Sequence, residues 1–283
     1  MTITPTIQQS LAAGERDTNP NKHPIEYMDT VNAYNKWAEV YDTDGNFLQA
    51  LDTLELRTLL PAFLRRVEDS TPTTTNKTLI DLGCGTGRNT LQLMHHGPPT
   101  AQIIGLDASP GMLEVARQRI AEVDSNAETT TATGPRATLA VLDLLDPDPA
   151  VLASASADGV ISTLVLEHVP LDRFFAAVTA LLKPGGYLLL TNMHAEMGAV
   201  SQAGFVDPGS GRKIRPVSYA HEIGEVVRVA GEYGLEVVGL DDGVGRDVVR
   251  ERRVDEGMVG VLGERARKWV GVVVWFGVCF RRV

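Results

Sequence analysis

The sequence predicts a doubly wound α/β fold, with helices packed on both faces of one mostly parallel sheet. Three observations carry that prediction. An apolar strand, Thr78–Leu82, runs directly into Gly83-x-Gly85-x-Gly87. Four more short apolar runs follow, at Gln102–Leu106, Thr138–Leu142, Gly159–Thr163 and Tyr187–Thr191, with helical patterns between them. A helix over His221–Tyr233 and two strands, Leu235–Leu240 and the β-branched Val270–Phe280, then close the chain. Short connections between such elements favour one seven-stranded domain over two small ones.

Each element has a local cause. Residues 1–24 are polar and rich in Pro and Asn, which predicts a flexible N-terminal segment ahead of a single domain over 25–283. Residues 25–66 carry helical periodicity, with Tyr34, Trp37, Ala38 and Tyr41 on one face and Leu56, Leu59, Leu60 and Phe63 on another. The helix after the glycine loop starts near Arg88 and stops at Gly97-Pro98-Pro99. Ser109 as N-cap and Pro110 in the first turn open the next helix, whose buried side carries Leu113, Ala116 and Ile120. The Ser/Thr/Ala/Gly-rich stretch 124–137 reads as a mobile insertion without chemistry. Phe175, Val178 and Leu182 keep helical step before the turn Lys183-Pro184-Gly185-Gly186. Residues 192–220 form a long excursion with a hairpin tip at Pro208–Gly211, which either walls a substrate pocket or covers the sheet edge. The charge run Arg246–Asp255 reads as a solvated connection.

Composition narrows the function. The chain has 283 residues, 43% of them hydrophobic, and a net charge of −10. That acidity argues against nucleic acid or an anionic membrane as the main partner, since both demand a basic surface. With two cysteines only, Cys84 and Cys279, there is no disulfide framework or CxxC zinc site, and no other cluster has metal-ligand spacing. The first residues lack a basic segment followed by an apolar run, and the longest apolar stretch, Trp269–Phe280, is too short to span a bilayer. A cytoplasmic protein with a small-molecule partner is the expectation.

The glycine loop suggests the cofactor. Gly83 and Gly85 supply positive φ and bare backbone where a ligand must approach, and Gly87 permits close helix packing. Asp107 ends the second strand twenty positions after Gly87, where a carboxylate accepts both hydrogens of a ribose diol. A nicotinamide dinucleotide uses related physics, but its fingerprint is G-x-G-x-x-G, and Asp81 just ahead of the loop would repel a pyrophosphate. S-adenosylmethionine (SAM) has no phosphate and carries an ammonium that the Asp81 region attracts.

The stretch DLGCGTGRNTLQLMHHGPPTAQIIGLD, Asp81–Asp107, resembles the class I, Rossmann-like SAM-dependent methyltransferases. DASPGMLEVAR, Val141–Asp143, ISTLVLEHVP and LLKPGGYLLLT are similar to that family's later motifs, so the likeness spans most of the chain. The core also resembles ubiquinone/menaquinone methyltransferases. The resemblance implies strand order 3-2-1-4-5-7-6 with the last strand antiparallel. It implies Asp81 and Gly83 near the methionine moiety and Asp107 at the ribose, with Cys84, Gly85, Gly87, Ala108 and Met112 among the cofactor contacts. Asp143 and Leu144 would flank the adenine, with Thr163 beside the cofactor. YNKWAEVYD is similar to the N-terminal lid helix of small-molecule members, which would bring Tyr34 and Tyr41 to the cofactor and Trp37 to the substrate.

In-line methyl transfer asks the protein to align acceptor, methyl and sulfur and to exclude water. Open α/β sheets bind ligands beyond the carboxyl ends of their strands, which selects Glu167 and His168 after the fourth strand, and Asn192, Met193, His194 and Glu196 after the fifth. His194 and His168 are the candidate proton-transfer groups. Met193, Glu196, Phe205 and Tyr219 are the candidate substrate contacts. The reading is methyl transfer to O or N of a specialised metabolite, releasing S-adenosylhomocysteine. Carbon methylation of a quinone-like ring, and a SAM-binding protein that transfers no methyl, are the alternatives.

Overall fold

A computed structural model describes residues 5–12, 23–70, 76–126, 136–154, 156–240 and 248–283. From the N-terminus, α1 (Ile7–Ala12) and β1 (Ile25–Tyr27) precede α2 (Thr30–Trp37) and α3 (Phe47–Asp69). The alternating core follows as β2 (Thr78–Leu82), α4 (Arg88–His96), β3 (Gln102–Asp107), α5 (Pro110–Asn126), β4 (Ala137–Val141), α6 (Pro149–Ser154), β5 (Ala157–Thr163), α7 (Leu171–Leu181) and β6 (Leu182–Met193). After it come α8 (Ala195–Gly198), β7 (Phe205–Val206), β8 (Lys213–Arg215), α9 (Ile223–Glu232), β9 (Leu235–Val238), β10 (Val249–Arg253), α10 (Glu256–Leu262) and β11 (Val273–Arg282).

The central sheet runs β4-β3-β2-β5-β6-β11, and β9 pairs with the far edge of β11. That is the predicted order, with β11 antiparallel to β6. Side-chain alternation builds its two layers. Leu79, Ile161 and Leu189 pack with Leu56, Leu60 and Phe63 of α3 on one face. Ile80, Val160 and Leu188 pack with Phe174 and Phe175 of α7 and Val226 of α9 on the other.

Two regions depart from expectation. The charge run contains an eighth strand, because β9 takes only Cys279–Arg282 of β11 and leaves Val273–Val278 to pair with β10. Charged side chains suit such an edge. One face of β10 is anchored: Arg252 Nε donates to Glu55 Oε1 at 2.5 Å and Arg250 Nη1 to Glu55 Oε2 at 3.2 Å, tying it to α3. Within the polar leader, α1 buries Ile7, whose N–H donates to Ser218 O at 2.8 Å. Residues 13–22, and residues 127–135 of the predicted insertion, lie outside the described residues.

The excursion after β6 is a hairpin, but it does not cover the central sheet. β8 pairs antiparallel with β7 and parallel with β1, making a small three-stranded sheet. Phe205 and Ile214 of that sheet pack on Ala33 and Trp37 of α2, with the Trp37 and Phe205 rings stacked at 4.9 Å. Lid helix and hairpin therefore form one body above the carboxyl ends of the strands.

Candidate active site

The glycine loop closes over β3, with Gly83 and Cys84 N–H both donating to Leu106 O, at 2.7 and 2.9 Å. Its three glycines, at φ +75°, +53° and +82°, meet different surroundings. A Cβ on Gly83 would lie 2.2 Å from Val165 Cγ2, and one on Gly87 would lie 3.1 Å from Ala116 Cβ of α5. A Cβ on Gly85 would meet nothing within 4 Å, because Gly85 opens on a cavity.

That cavity, about 190 Å³, is lined by Tyr34, Tyr41, Gly83, Gly85, Asp107, Ala108, Met112, Asp143, Leu144 and Thr163, all predicted cofactor contacts. Ser109, Leu142, Val165 and His168 are also part of the wall. Asp107 is held by Gly85 N–H on Oδ2 and Ser109 N–H on Oδ1, both at 2.8 Å. A carboxylate has about four lone-pair sites, so two are left for a ligand diol. The bare backbone at Gly85, the carboxylate and the apolar side chains of Met112, Leu142 and Leu144 fit adenosine and a cationic tail, whereas a pyrophosphate would face Asp107.

Asp81, Cys84 and Gly87 support the loop from beneath and do not line the cavity. Asp81 is 1% exposed and accepts from Thr90 Oγ1 at 2.7 Å, and burial lifts its carboxyl to about 6. Cys84 Sγ lies 3.1 Å from where a Cβ would stand on Gly105, so it packs on β3, and burial pushes its thiol up. The Cys84 side chain therefore packs against β3, away from the cavity. Lid contacts run to this loop and to α5. Asn35 Oδ1 accepts from Ser109 Oγ and Gly111 N at 2.7 and 2.9 Å, and Asp42 accepts from Thr86 Oγ1 and Arg119 Nη1 at 3.0 and 2.9 Å.

A second cavity, about 130 Å³, shares Tyr34, Tyr41 and Leu164 with the first. Leu164, at φ +58°, is the one non-glycine residue in the left-handed region among the described residues. That conformation costs on the order of 1 kcal/mol, and it turns the chain off β5 between the two cavities. Trp37 and Met193, two of the candidate substrate contacts, line the second cavity together with Glu167. Asp44, Gln202, Arg265, Lys268 and Trp269 also line it and carry no motif in the sequence.

Glu167 Oε2 is buried without a hydrogen-bond partner, and burial raises its carboxyl to about 7. His168 is differently placed. Its Nδ1 lies 2.7 Å from Val217 O and its Nε2 lies 2.8 Å from the Tyr34 hydroxyl. The carbonyl only accepts, so Nδ1 carries the proton and Tyr34 donates to Nε2. Burial lowers His168 to about 4 and keeps it neutral. It positions Tyr34.

Four of the predicted proton-transfer and substrate residues line neither cavity. His194 caps α8, Nδ1 accepting from Glu196 N at 3.0 Å, while Nε2 lies 3.0 Å from Glu251 Oε1 of β10. Glu196 pairs with Arg253 at 3.3 Å. Phe205 sits behind Trp37, and Tyr219 stacks on His221 at 5.6 Å. β10 holds His194 and Glu196, and Phe205 lies within the hairpin that packs on Trp37. Among the described residues no group of three or more His, Cys, Asp or Glu could hold a metal ion, and no helix is long and apolar enough to cross a membrane.

A doubly wound sheet with an antiparallel final strand, a glycine loop on its first core strand and a cavity-facing carboxylate on the next defines a class I SAM-dependent methyltransferase. Known proteins agree. The family described as "Methyltransferase domain" matches residues 80–190. An uncharacterized methyltransferase of Emericella nidulans is 57% identical over 287 residues, covering 96% of this chain and 98% of the relative. A trans-aconitate 2-methyltransferase of Methylobacterium radiotolerans is 33% identical over 161 residues, 50% of this chain and 53% of the relative. The fold matches the [4+2]-cyclase SpnF, with TM-score 0.56, 16% identity, and 92% and 99% of the two chains covered. It also matches magnesium protoporphyrin IX methyltransferase of Synechocystis PCC 6803 with bound S-adenosylhomocysteine, with TM-score 0.51, 17% identity, and 89% and 94% covered. The chain belongs to the SAM-dependent methyltransferases, and SAM is its cofactor.

Proposed function

We propose that this methyltransferase acts on an oxygen or nitrogen of a small, partly apolar metabolite, by in-line displacement. The carrying observation is the wall of Tyr34, Tyr41 and Leu164 shared by two cavities, one suited to the cofactor and one lined by Glu167. Bound SAM supplies a methyl group activated by its sulfonium. Asp107 and the Gly83–Gly85 backbone would hold it, and the closed lid excludes water. Tyr34 and Tyr41 stay un-ionised, since burial pushes both phenols up, so they offer neutral ring faces to a cationic sulfur.

On the acceptor side, Glu167 Oε2 is the group free to take a proton. A carboxyl that titrates near 7 can accept the proton of a hydroxyl or ammonium at neutral pH. The second cavity, at about 130 Å³, suits a small molecule better than a nucleic acid or protein side chain on a large surface. Release of S-adenosylhomocysteine from SAM, measured with fractionated small-molecule extract, with bulk RNA and with protein extract, tests the reading. Product with the small-molecule fraction alone is the expected result. Product only with a macromolecular fraction, or none with any fraction in a protein that binds SAM, would overturn it.

A further inference from the structure

Eight buried side-chain atoms among the described residues lack hydrogen-bond partners, and four of them belong to residues lining the second cavity: Asp44 Oδ1, Glu167 Oε2, Gln202 Oε1 and Trp269 Nε1. Buried polar atoms are normally paired, so such a concentration marks bonds that a ligand supplies. Three of the four are acceptors, which ask for hydroxyl or amine donors. The fourth, the indole N–H of Trp269, is a donor in a residue only 4% exposed.

Charge distinguishes the surroundings of Trp269. Arg265 and Lys268 line the cavity beside it, and Lys268 Nζ lies 5.0 Å over the Trp269 ring. Neither makes an ion pair within 4.0 Å with a carboxylate of the described residues. Arg265 instead donates to the Asp44 backbone carbonyl. Burial lowers the pKa of Lys268, and repulsion from Arg265 and Arg215 lowers it further. Lys213 lines the same cavity. The two carboxylates there, Asp44 and Glu167, are both shifted by burial toward the neutral form. In a chain of net charge −10, this pocket is locally positive.

We infer that the methyl acceptor is a small organic acid bearing a hydroxyl or amine, whose carboxylate is anchored by Arg265, Lys268 and the Trp269 indole N–H while its donor groups meet Gln202 and Glu167. The inference rests on the second cavity being the acceptor site. The anchored carboxylate is a recognition group: it fixes the acid so that its hydroxyl or amine reaches the Tyr34–Tyr41–Leu164 wall, and no bond to it is made or broken.

Calorimetric titration of the full chain saturated with S-adenosylhomocysteine, using benzoate and benzamide as probes, tests this without requiring turnover. Benzoate should bind about tenfold more tightly than benzamide, since a charge-assisted contact replaces a neutral one. Arg265→Gln/Lys268→Gln should abolish that preference and leave S-adenosylhomocysteine affinity unchanged, because neither residue lines the cofactor cavity. Trp269→Phe, which keeps the aromatic packing on Phe47, should weaken benzoate about fivefold. No benzoate binding, equal binding of the two probes, or a preference that survives the double substitution would overturn the inference. Methylation of neutral acceptors alongside equal probe binding would sink the acid anchor and spare the methyl-transfer reading. Selective benzoate binding without product from any small acceptor would do the reverse.

Discussion

The hydroxyl of Tyr34 donates to Nε2 of His168 at 2.8 Å, and the bond has one direction because Nδ1 of that ring is committed to Val217 O. It joins α2 to the turn after β5 at the edge of both cavities. Tyr34→Phe leaves a buried imidazole nitrogen without its donor, at a cost of about 1–3 kcal/mol in stability. It also frees the lid, so SAM should bind less tightly. Chemical denaturation and SAM titration of Tyr34→Phe, His168→Asn and the double variant measure the coupling, expected to be on the order of 1 kcal/mol. Strictly additive effects would show that the contact is incidental.

Asp107 does two jobs at once, ordering the loop through Gly85 and Ser109 and facing the cavity. Asp107→Asn keeps the volume and removes the charge. SAM affinity should fall by about 2–3 kcal/mol, the scale of charge-assisted bonds to a diol. Unchanged affinity in the folded variant would remove Asp107 from the ribose role.

Gly83 and Gly85 separate folding from binding. Alanine at Gly83 collides with Val165 and sits at φ +75°, so Gly83→Ala should destabilise by about 2 kcal/mol or more. Adding Val165→Ala should recover the collision and not the backbone cost. Alanine at Gly85 meets no protein atom within 4 Å, so its stability loss should be near 1 kcal/mol, from φ alone. Its methyl occupies the cofactor's space, so SAM binding should suffer far more than the melting temperature.

The sheet was legible because its cause is local: strand alternation, Ser109 as a cap and the glycine loop each act within a few residues. The first cavity was legible for the same reason, since Gly83, Gly85 and Asp107 sit at fixed offsets from strand ends. Most of the second cavity's wall was not. Asp44 and Trp269 stand 225 positions apart and meet only because α10 and the turn after it return beneath the lid. His194 illustrates the converse case. Its place after β6 suggested chemistry, but Val249–Arg253 alternates Arg250 and Arg252 toward Glu55 and Glu251 toward His194, so the charge run becomes a strand that occupies the ring. Charge alone hid that period-two pattern.

Glu167 provides a pH signature that separates a proton-accepting role from a packing role. Burial raises its carboxyl from 4.5 to about 7, while His168 stays neutral down to about 4. If Glu167 takes the acceptor's proton, kcat/KM rises with pH through about 7, as the carboxyl ionises. Glu167→Gln should flatten that limb and lower kcat by about 10²–10⁴. Stability moves the other way. The folded state holds the proton more tightly than the unfolded state, so this contribution is complete below about 4.5 and is lost as pH rises through about 7. Glu167→Gln should therefore lessen the fall in stability over that window. Asp81, raised to about 6, maintains part of it. A variant that loses the stability slope but keeps the wild-type rate profile would make Glu167 a buried packing acid and leave proton removal to solvent.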